Sequence, residues 1–240
     1  MKHLGIIFAG GTGQRMNTAA MPKQFLELHG KPILIYTLEV FQRHPKIDGI
    51  ILVCLNSWID YCQELLERFH ITKVMKIVPG GKNGQESIFN GLNAAYSLID
   101  DKCVVLIHDG VRPLINIKTI SDNIESVIQK GNAITVAPAI ETIVVKSNDE
   151  SLGDIIDRSQ CQVAKAPQSF YLEDIYQAHL KAKQENQLNF IDSASMMKYY
   201  NYKLYPVVGP NENIKITTPS DFYIFRAILD AKESSQIMGL

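Results

Sequence analysis

The chain has only four cysteines, Cys54, Cys62, Cys103 and Cys161, and none of them form a C-x-x-C pair. That scarcity rules out a disulfide framework and predicts reduced, mostly buried thiols in a cytoplasm-like compartment. There is no H-E-x-x-H motif and no His-Cys spacing that would build a zinc site, so His3, His29, His44, His70 and His179 read as surface or core residues. A surplus of positive charge is also missing. With a formal net charge of −1 over 240 residues, nucleic acid is not expected as a main partner. No apolar run approaches the roughly 20 residues of a membrane helix, and no basic segment leads into a long apolar one near the start. Neither a membrane nor an export route is therefore expected, and the localisation expected is cytoplasmic. Two phosphate-loop signatures fail on specific residues. No Lys-Ser or Lys-Thr follows the first glycines, as a Walker A loop requires. Gly11 and Gly13 fit the first two places of a G-x-G-x-x-G fingerprint, but Met16 occupies the third, which disfavours NAD-dependent oxidoreduction.

What is present is ordinary in bulk, with 46% hydrophobic and 20% charged residues, enough for one α/β domain with a sizeable core. The informative stretch is 4–25, LGIIFAGGTGQRMNTAAMPKQF. Leu4 to Ala9 reads as a short buried strand that opens into Gly10, Gly11, Thr12 and Gly13, followed by the cations Arg15 and Lys23, with Pro22 just before the second. Such a loop exposes backbone N–H groups that can wrap an anion, usually phosphate. The plainer alternative is a glycine turn with two surface cations.

The chain then alternates. Helical spacing marks 32–43, with Pro32 at its first turn, then 59–69, 86–99 and 117–130; apolar runs at 48–54, 74–78, 103–108 and 133–138 read as strands. Alternation of this kind implies a parallel sheet with helices on both faces and ligands at the carboxyl ends of the strands. The loops 10–23, 79–87, 109–113 and 138–142 should thus carry the chemistry. Residues 139–163 interrupt the pattern with two strands around a Ser-Asn-Asp-Glu-Ser turn, a hairpin arm with little core of its own. A partner subunit is its natural cover. Helices follow at 172–185 and 193–200, a strand at 203–208, a short strand ending at Lys215, and a last helix at 219–237. No linker divides residues 1–240, so one domain is expected, with 139–163 as an arm.

Several clusters lie on those loops. In His108-Asp109-Gly110-Val111-Arg112-Pro113 a carboxylate and a guanidinium three residues apart could hold a phosphorylated polyol, Arg112 taking the phosphate and Asp109 a hydroxyl or a metal ion. A local ion pair closing a turn is the alternative. Thr142 and Arg158 fall on opposite limbs of the arm, and Lys215 precedes the last helix; each alone is an ordinary surface residue. In the second glycine loop, GGKNGQES (80–87), Ser87 could contact a nucleotide, although a helix cap is the safer reading.

Together AGGTGQRM (9–16), PKQFLEL (22–28), HDGVRP (108–113), ETIVV (141–145), DR (157–158), APQSF (166–170) and NIKITTPSDF (213–222) resemble the family of methylerythritol-phosphate and ribitol-phosphate cytidylyltransferases. The resemblance implies a Rossmann-like α/β sandwich with a protruding β-arm, an obligate homodimer, and transfer of a cytidylyl group from CTP to a polyol phosphate with Mg2+ or another divalent cation. It implies that Arg15 and Lys23, with Lys215, stabilise the transition state, and that Ala9, Gly10, Gly11, Thr12 and Gly13 cradle the triphosphate. Gly81 and Ser87 would lie along the nucleoside. Asp109 (also a candidate metal ligand), Arg112 and Asp192 would contact the polyol phosphate, and Thr142 and Arg158 would reach into the partner's site. Two positions depart from the family pattern. Gly84 stands where an arginine is usual, with Gln85 beside it, and Ile191 stands where a hydroxyl usually precedes Asp192. The second departure turns the expectation towards ribitol 5-phosphate, with 2-C-methyl-D-erythritol 4-phosphate as the alternative. A sugar-1-phosphate nucleotidyltransferase and a non-catalytic nucleotide-binding protein are the remaining rivals.

Overall fold

The computed structural model describes residues 1–11, 21–149 and 151–238, with side chains to residue 234. Strand β1 (Lys2–Ala9) is an interior strand of a seven-stranded sheet. Around it lie β4 (Gly49–Cys54), β5 (Val74–Pro79), β6 (Cys103–Asp109), β7 (Asn132–Pro138), β10 (Gln162–Tyr171) and β11 (Pro206–Val208), in the order β11-β7-β10-β6-β1-β4-β5. Every pairing is parallel except those of β10, which runs antiparallel between β6 and β7. The sheet is therefore mainly parallel, as the alternation predicts, with one strand reversed that the sequence pattern does not mark. Pro167, Lys165 and Gln168 break the apolar run expected of a central strand, which is why β10 reads as the end of the arm.

Side chains alternate across β1 and β6 into two cores. Ile7, Val104 and Leu106 face α1 (Ile33–Arg43), α2 (Ile59–Arg68) and α4 (Ile117–Lys130). Leu4, Ile6, Val105 and Ile107 face α3 (Gly84–Leu98), α5 (Leu172–Gln184) and α6 (Ser193–Tyr199). The last helix, α7 (Pro219–Met238), packs Phe225 on Ile33, Val111 and Leu114. A two-residue ribbon, β2 (Glu27–Leu28) with β3 (Lys31–Pro32), leads into α1, so Pro32 caps that helix rather than opening it.

Local chemistry sets the helix ends. Asn116 accepts from Thr119 N at 2.8 Å to start α4, and Gly131, at φ 96°, closes it by donating to Val127 O at 2.9 Å. The arm consists of β8 (Ile143–Lys146) and β9 (Leu152–Ile156), paired only with each other. Its apolar side chains face outward, Leu152 being 79% and Ile155 69% exposed. No helix among the described residues is long and apolar enough to cross a membrane.

Candidate active site at the carboxyl edge of the sheet

Register brings the loops together. Ala9 stands opposite Cys54, Cys54 opposite Pro79, and Phe8 opposite Asp109, so β1, β4, β5 and β6 all end at one edge. Gly80 N donates to Cys54 O at 2.7 Å and Gly110 N to Phe8 O at 2.9 Å. The two glycine loops touch: a Cβ on Gly10 would lie 3.5 Å from Ser87 Oγ and 3.9 Å from Gly80 Cα. Gly10 thereby meets Ser87 and Gly80, with Ala9 and Gly11 next to it on the first loop and Gly81 next to Gly80 on the second. Ser87 does not cap the helix, however. Asn83 caps α3, accepting from Glu86 N at 2.9 Å. Ser87 Oγ instead accepts from Gly81 N at 3.0 Å and donates to Asn83 O at 2.8 Å, pinning the loop. Lys23, half-buried, opens a 3-10 turn that Gln24 ties to Ala9 O at 2.6 Å, so this cation rides on the end of β1. Thr12, Gly13 and Arg15 lie outside the described residues.

Beside the glycine loops is a cavity of about 300 Å³ whose wall includes Asp109, Arg112, Lys215, Lys165 and Asp192. Asp109 holds two cations: Arg112 Nε donates to Oδ2 at 2.7 Å, and Lys215 Nζ meets Oδ1 at 2.5 Å. Burial raises the Asp109 pKa, but Lys215 and then Arg112 overcome it and bring it down to about 2, so the carboxylate is ionised. Arg112 Nη1 also donates to Asn213 O at 2.9 Å, and Lys165 Nζ reaches Asn211 O at 2.9 Å and Asn213 O at 3.3 Å. Burial, then Arg112, lowers the Lys165 pKa. The turn-closing ion pair weighed from the sequence is present, and both of its members stand on the cavity wall. The pair fixes both cations at a cavity with three positive side chains against two carboxylates, suited to a phosphate ester. Lys215 lies in an irregular segment, not at the end of a strand as expected. Its backbone is held by its neighbour, Ile216 N donating to Val111 O at 2.9 Å.

Asp109 fits a resident metal ion poorly, since both its oxygens already face a cation and a third positive charge would be repelled. Among the described residues, the one group of three potential ligands is the exposed His29, Asp230 and Glu233, which is not part of the cavity.

The wall near Asp192 is held by side chains whose positioning role the sequence reading missed. Asp192 caps α6, accepting from Ser195 N at 2.8 Å with Oδ1 and from Gln168 Nε2 at 2.8 Å with Oδ2. Gln168 Oε1 accepts from Ala194 N at 2.8 Å. Gln85 is buried; Nε2 donates to Gln187 O at 2.8 Å and Oε1 accepts from Phe190 N at 2.9 Å, while Asn83 Nδ2 donates to Leu188 O at 3.0 Å. Gln85 therefore anchors the 187–190 segment. Ile191, at the mouth, is 95% exposed. Gln168 was visible only as part of the APQSF motif and Gln85 only as the neighbour of Gly84, and nothing local signals the anchoring role of either. Thr142 and Arg158 are exposed at the base of the arm, where Arg158 Nη1 donates to Ile140 O at 2.9 Å; neither lines the cavity of its own chain.

A family model described as IspD, 2-C-methyl-D-erythritol 4-phosphate cytidylyltransferase, matches residues 4–231. The chain belongs to this family. Members similar to it include a protein named ribitol-5-phosphate cytidylyltransferase from Streptococcus agalactiae serotype V, 51% identical over 240 residues and covering all of both chains. One of the same name from Vibrio parahaemolyticus is 51% identical over 99% of this chain and 100% of that one. A 2-C-methyl-D-erythritol 4-phosphate cytidylyltransferase from Clostridium botulinum is 38% identical over 95% and 98%. Among solved structures, the 4-diphosphocytidyl-2C-methyl-D-erythritol synthase of Anaerococcus prevotii superposes with a TM-score of 0.81 at 27% identity, covering 95% of this chain and 96% of that one. The cytidylyltransferase fold and the expected edge of the sheet thus agree with the resemblance read from the motifs.

Proposed function

We propose that this chain transfers a cytidylyl group from CTP to ribitol 5-phosphate, forming CDP-ribitol and pyrophosphate. A phosphate oxygen of the acceptor attacks the α-phosphorus of CTP in line; the bond from that phosphorus to the oxygen bridging to the β-phosphate breaks, and pyrophosphate leaves with the electron pair. The observation that carries the reading is the Asp109 cluster. Its two fixed cations stand at a cavity of suitable size, next to a first glycine loop whose backbone N–H groups can wrap the triphosphate and a second that packs against it. Lys215 and Arg112 receive the acceptor phosphate, and Lys23 and Arg15 offset the charge that develops on the α-phosphate. Full-length identity of 51% to proteins named for ribitol 5-phosphate favours that acceptor over methylerythritol phosphate, the name borne by the 38% relative.

The divalent cation, expected to be Mg2+, arrives in this reading with the triphosphate rather than on a protein-held site. The arm is covered by a second copy of the chain: a two-stranded ribbon with Leu152 and Ile155 turned outward is marginal alone and needs an apolar partner. In that homodimer Thr142 and Arg158 serve the partner's cavity, which accounts for their distance from their own. The protein would work in the cytoplasm. Pyrophosphate release from CTP with ribitol 5-phosphate tests the activity, and sedimentation tests the dimer; no release with any polyol phosphate, or a monomer of full activity, would contradict the respective half.

A further inference from the structure

We propose that Lys165 binds the acceptor's phosphate together with Arg112, as a cation that the nucleotide's phosphates do not use. The inference rests on the cytidylyltransferase reading and names a further residue that recognises its second substrate. Lys165 is half-buried and stands on the cavity wall with Asp109, Arg112 and Lys215. It comes from an irregularity in a strand: the register of β10 with β7 slips between Ala164 and Gln168. Such a slip re-aims side chains, and this one lies where β10 enters the sheet, at the edge where β6 and β7 end. The head group is fixed. Lys165 Nζ donates to Asn211 O at 2.9 Å and to Asn213 O at 3.3 Å. Asn213 is locked to the same irregularity, its Nδ2 donating to Ala166 O at 2.7 Å. Arg112 Nη1 donates to the same Asn213 O at 2.9 Å, so ammonium and guanidinium meet at one carbonyl oxygen.

Two cations on one neutral acceptor repel each other, and the protein does little to offset that. Asp109 is already shared by Arg112 and Lys215. Lys165 makes no ion pair among the described residues; the exposed Glu212 acts on it only from a distance, more weakly than Arg112 does. Donors also remain. An ammonium carries three hydrogens, of which the two carbonyls take two, and Arg112 Nη2 has no partner among the described residues. Spare donors and surplus positive charge at one point suit an anion with several oxygens, and a phosphate monoester is one. Position in the sheet decides whose phosphate it is. Strand β10 lies on the far side of β6 from β1, which ends in the first glycine loop. Lys215 Nζ lies over the Phe8 ring of β1, 5.9 Å from its centroid. Lys165 is therefore the cation turned away from the triphosphate loop, and the phosphate it meets is the acceptor's.

The test is calorimetric titration of ribitol 5-phosphate into the full chain, held with Mg2+ and a non-hydrolysable CTP analogue. Lys165→Met keeps the stem and removes the charge, and should weaken ribitol 5-phosphate about thirtyfold, the scale of one charge-assisted hydrogen bond. The CTP analogue should bind the variant as it binds the wild type. Because Lys165 also ties the 211–213 backbone, Lys165→Gln separates charge from tie: it keeps an amide donor for the carbonyls and should lose as much as Lys165→Met. The phosphorus-31 resonance of bound ribitol 5-phosphate adds a readout that a backbone tie would not move. Its second ionisation, at about pH 6 for a free phosphate ester, should be depressed in the wild-type complex and move back up in Lys165→Met. A loss under threefold in Lys165→Met, wild-type affinity in Lys165→Gln, an equal loss for the CTP analogue, an unmoved phosphorus ionisation, or no binding to the wild type would each overturn the contact. Failure of the cytidylyltransferase reading shows separately, as binding that depends on Lys165 without pyrophosphate release.

Discussion

Asp109 takes no proton and touches no reacting atom in this account; it holds Arg112 and Lys215 where a phosphate ester must sit. Asp109→Asn keeps the size and removes the charge, so both cations lose their anchor, and kcat/KM for pyrophosphate release should fall by about 100-fold, the scale of a lost preorganised contact. A loss under threefold would show that the cations are held by other groups. Lys23→Ala and Arg15→Ala should lower kcat far more than they weaken CTP, a split that equal losses would contradict. Titration adds a second check. His108 and His179 are buried, and burial brings both pKa values down to about 4. The unfolded chain protonates them near 6.5, so their stabilising contribution is complete above that pH and is lost as pH falls towards 4. The unfolding midpoint should thus drop between pH 6.5 and 4, less steeply in His179→Phe; identical profiles would contradict the assignment. Asp109, ionised down to about pH 2, should add no acid limb to activity above pH 4.

Among the elements, those with strong local signals were legible. Helical spacing marked 117–130, which Asn116 and Gly131 bracket in the structure, and the apolar run at 4–9 gave β1. Strand β10 was not legible, because only half of it is buried and Pro167 sits inside it; only the pairing with β6 and β7 makes it a central strand. The anchors of the cavity wall were hidden for a related reason. Gln85 bonds to backbone groups 102 and 105 residues away, and no local pattern encodes a contact of that span. Leu152→Asp with Ile155→Asp should turn a dimer into a folded monomer with little activity, as read by sedimentation and pyrophosphate release. A mixture of Arg158→Ala and Arg15→Ala chains should recover part of the activity each lacks alone, since one of the two sites in a mixed dimer is then intact. Absence of rescue would mean that Arg158 does not act across the interface.

At the scale of the whole molecule, a mainly parallel sheet collects loops from distant parts of the chain at one edge, with two glycine loops beside a cavity of fixed charge. The class of chemistry was readable from the order of the motifs, and the family match over 4–231 agrees with it. The acceptor was less readable, because Ile191 marks only a missing hydroxyl, whereas the polar groups of the wall, among them Gln85, Asp109, Gln168 and Lys215, come from segments far apart in the chain. The most direct measurement is pyrophosphate release from CTP with four acceptors in parallel: ribitol 5-phosphate, 2-C-methyl-D-erythritol 4-phosphate, glycerol 3-phosphate and glucose 1-phosphate. The account predicts release with ribitol 5-phosphate at a kcat/KM at least about tenfold above the other three. Preference for methylerythritol phosphate, or silence with all four, would contradict it.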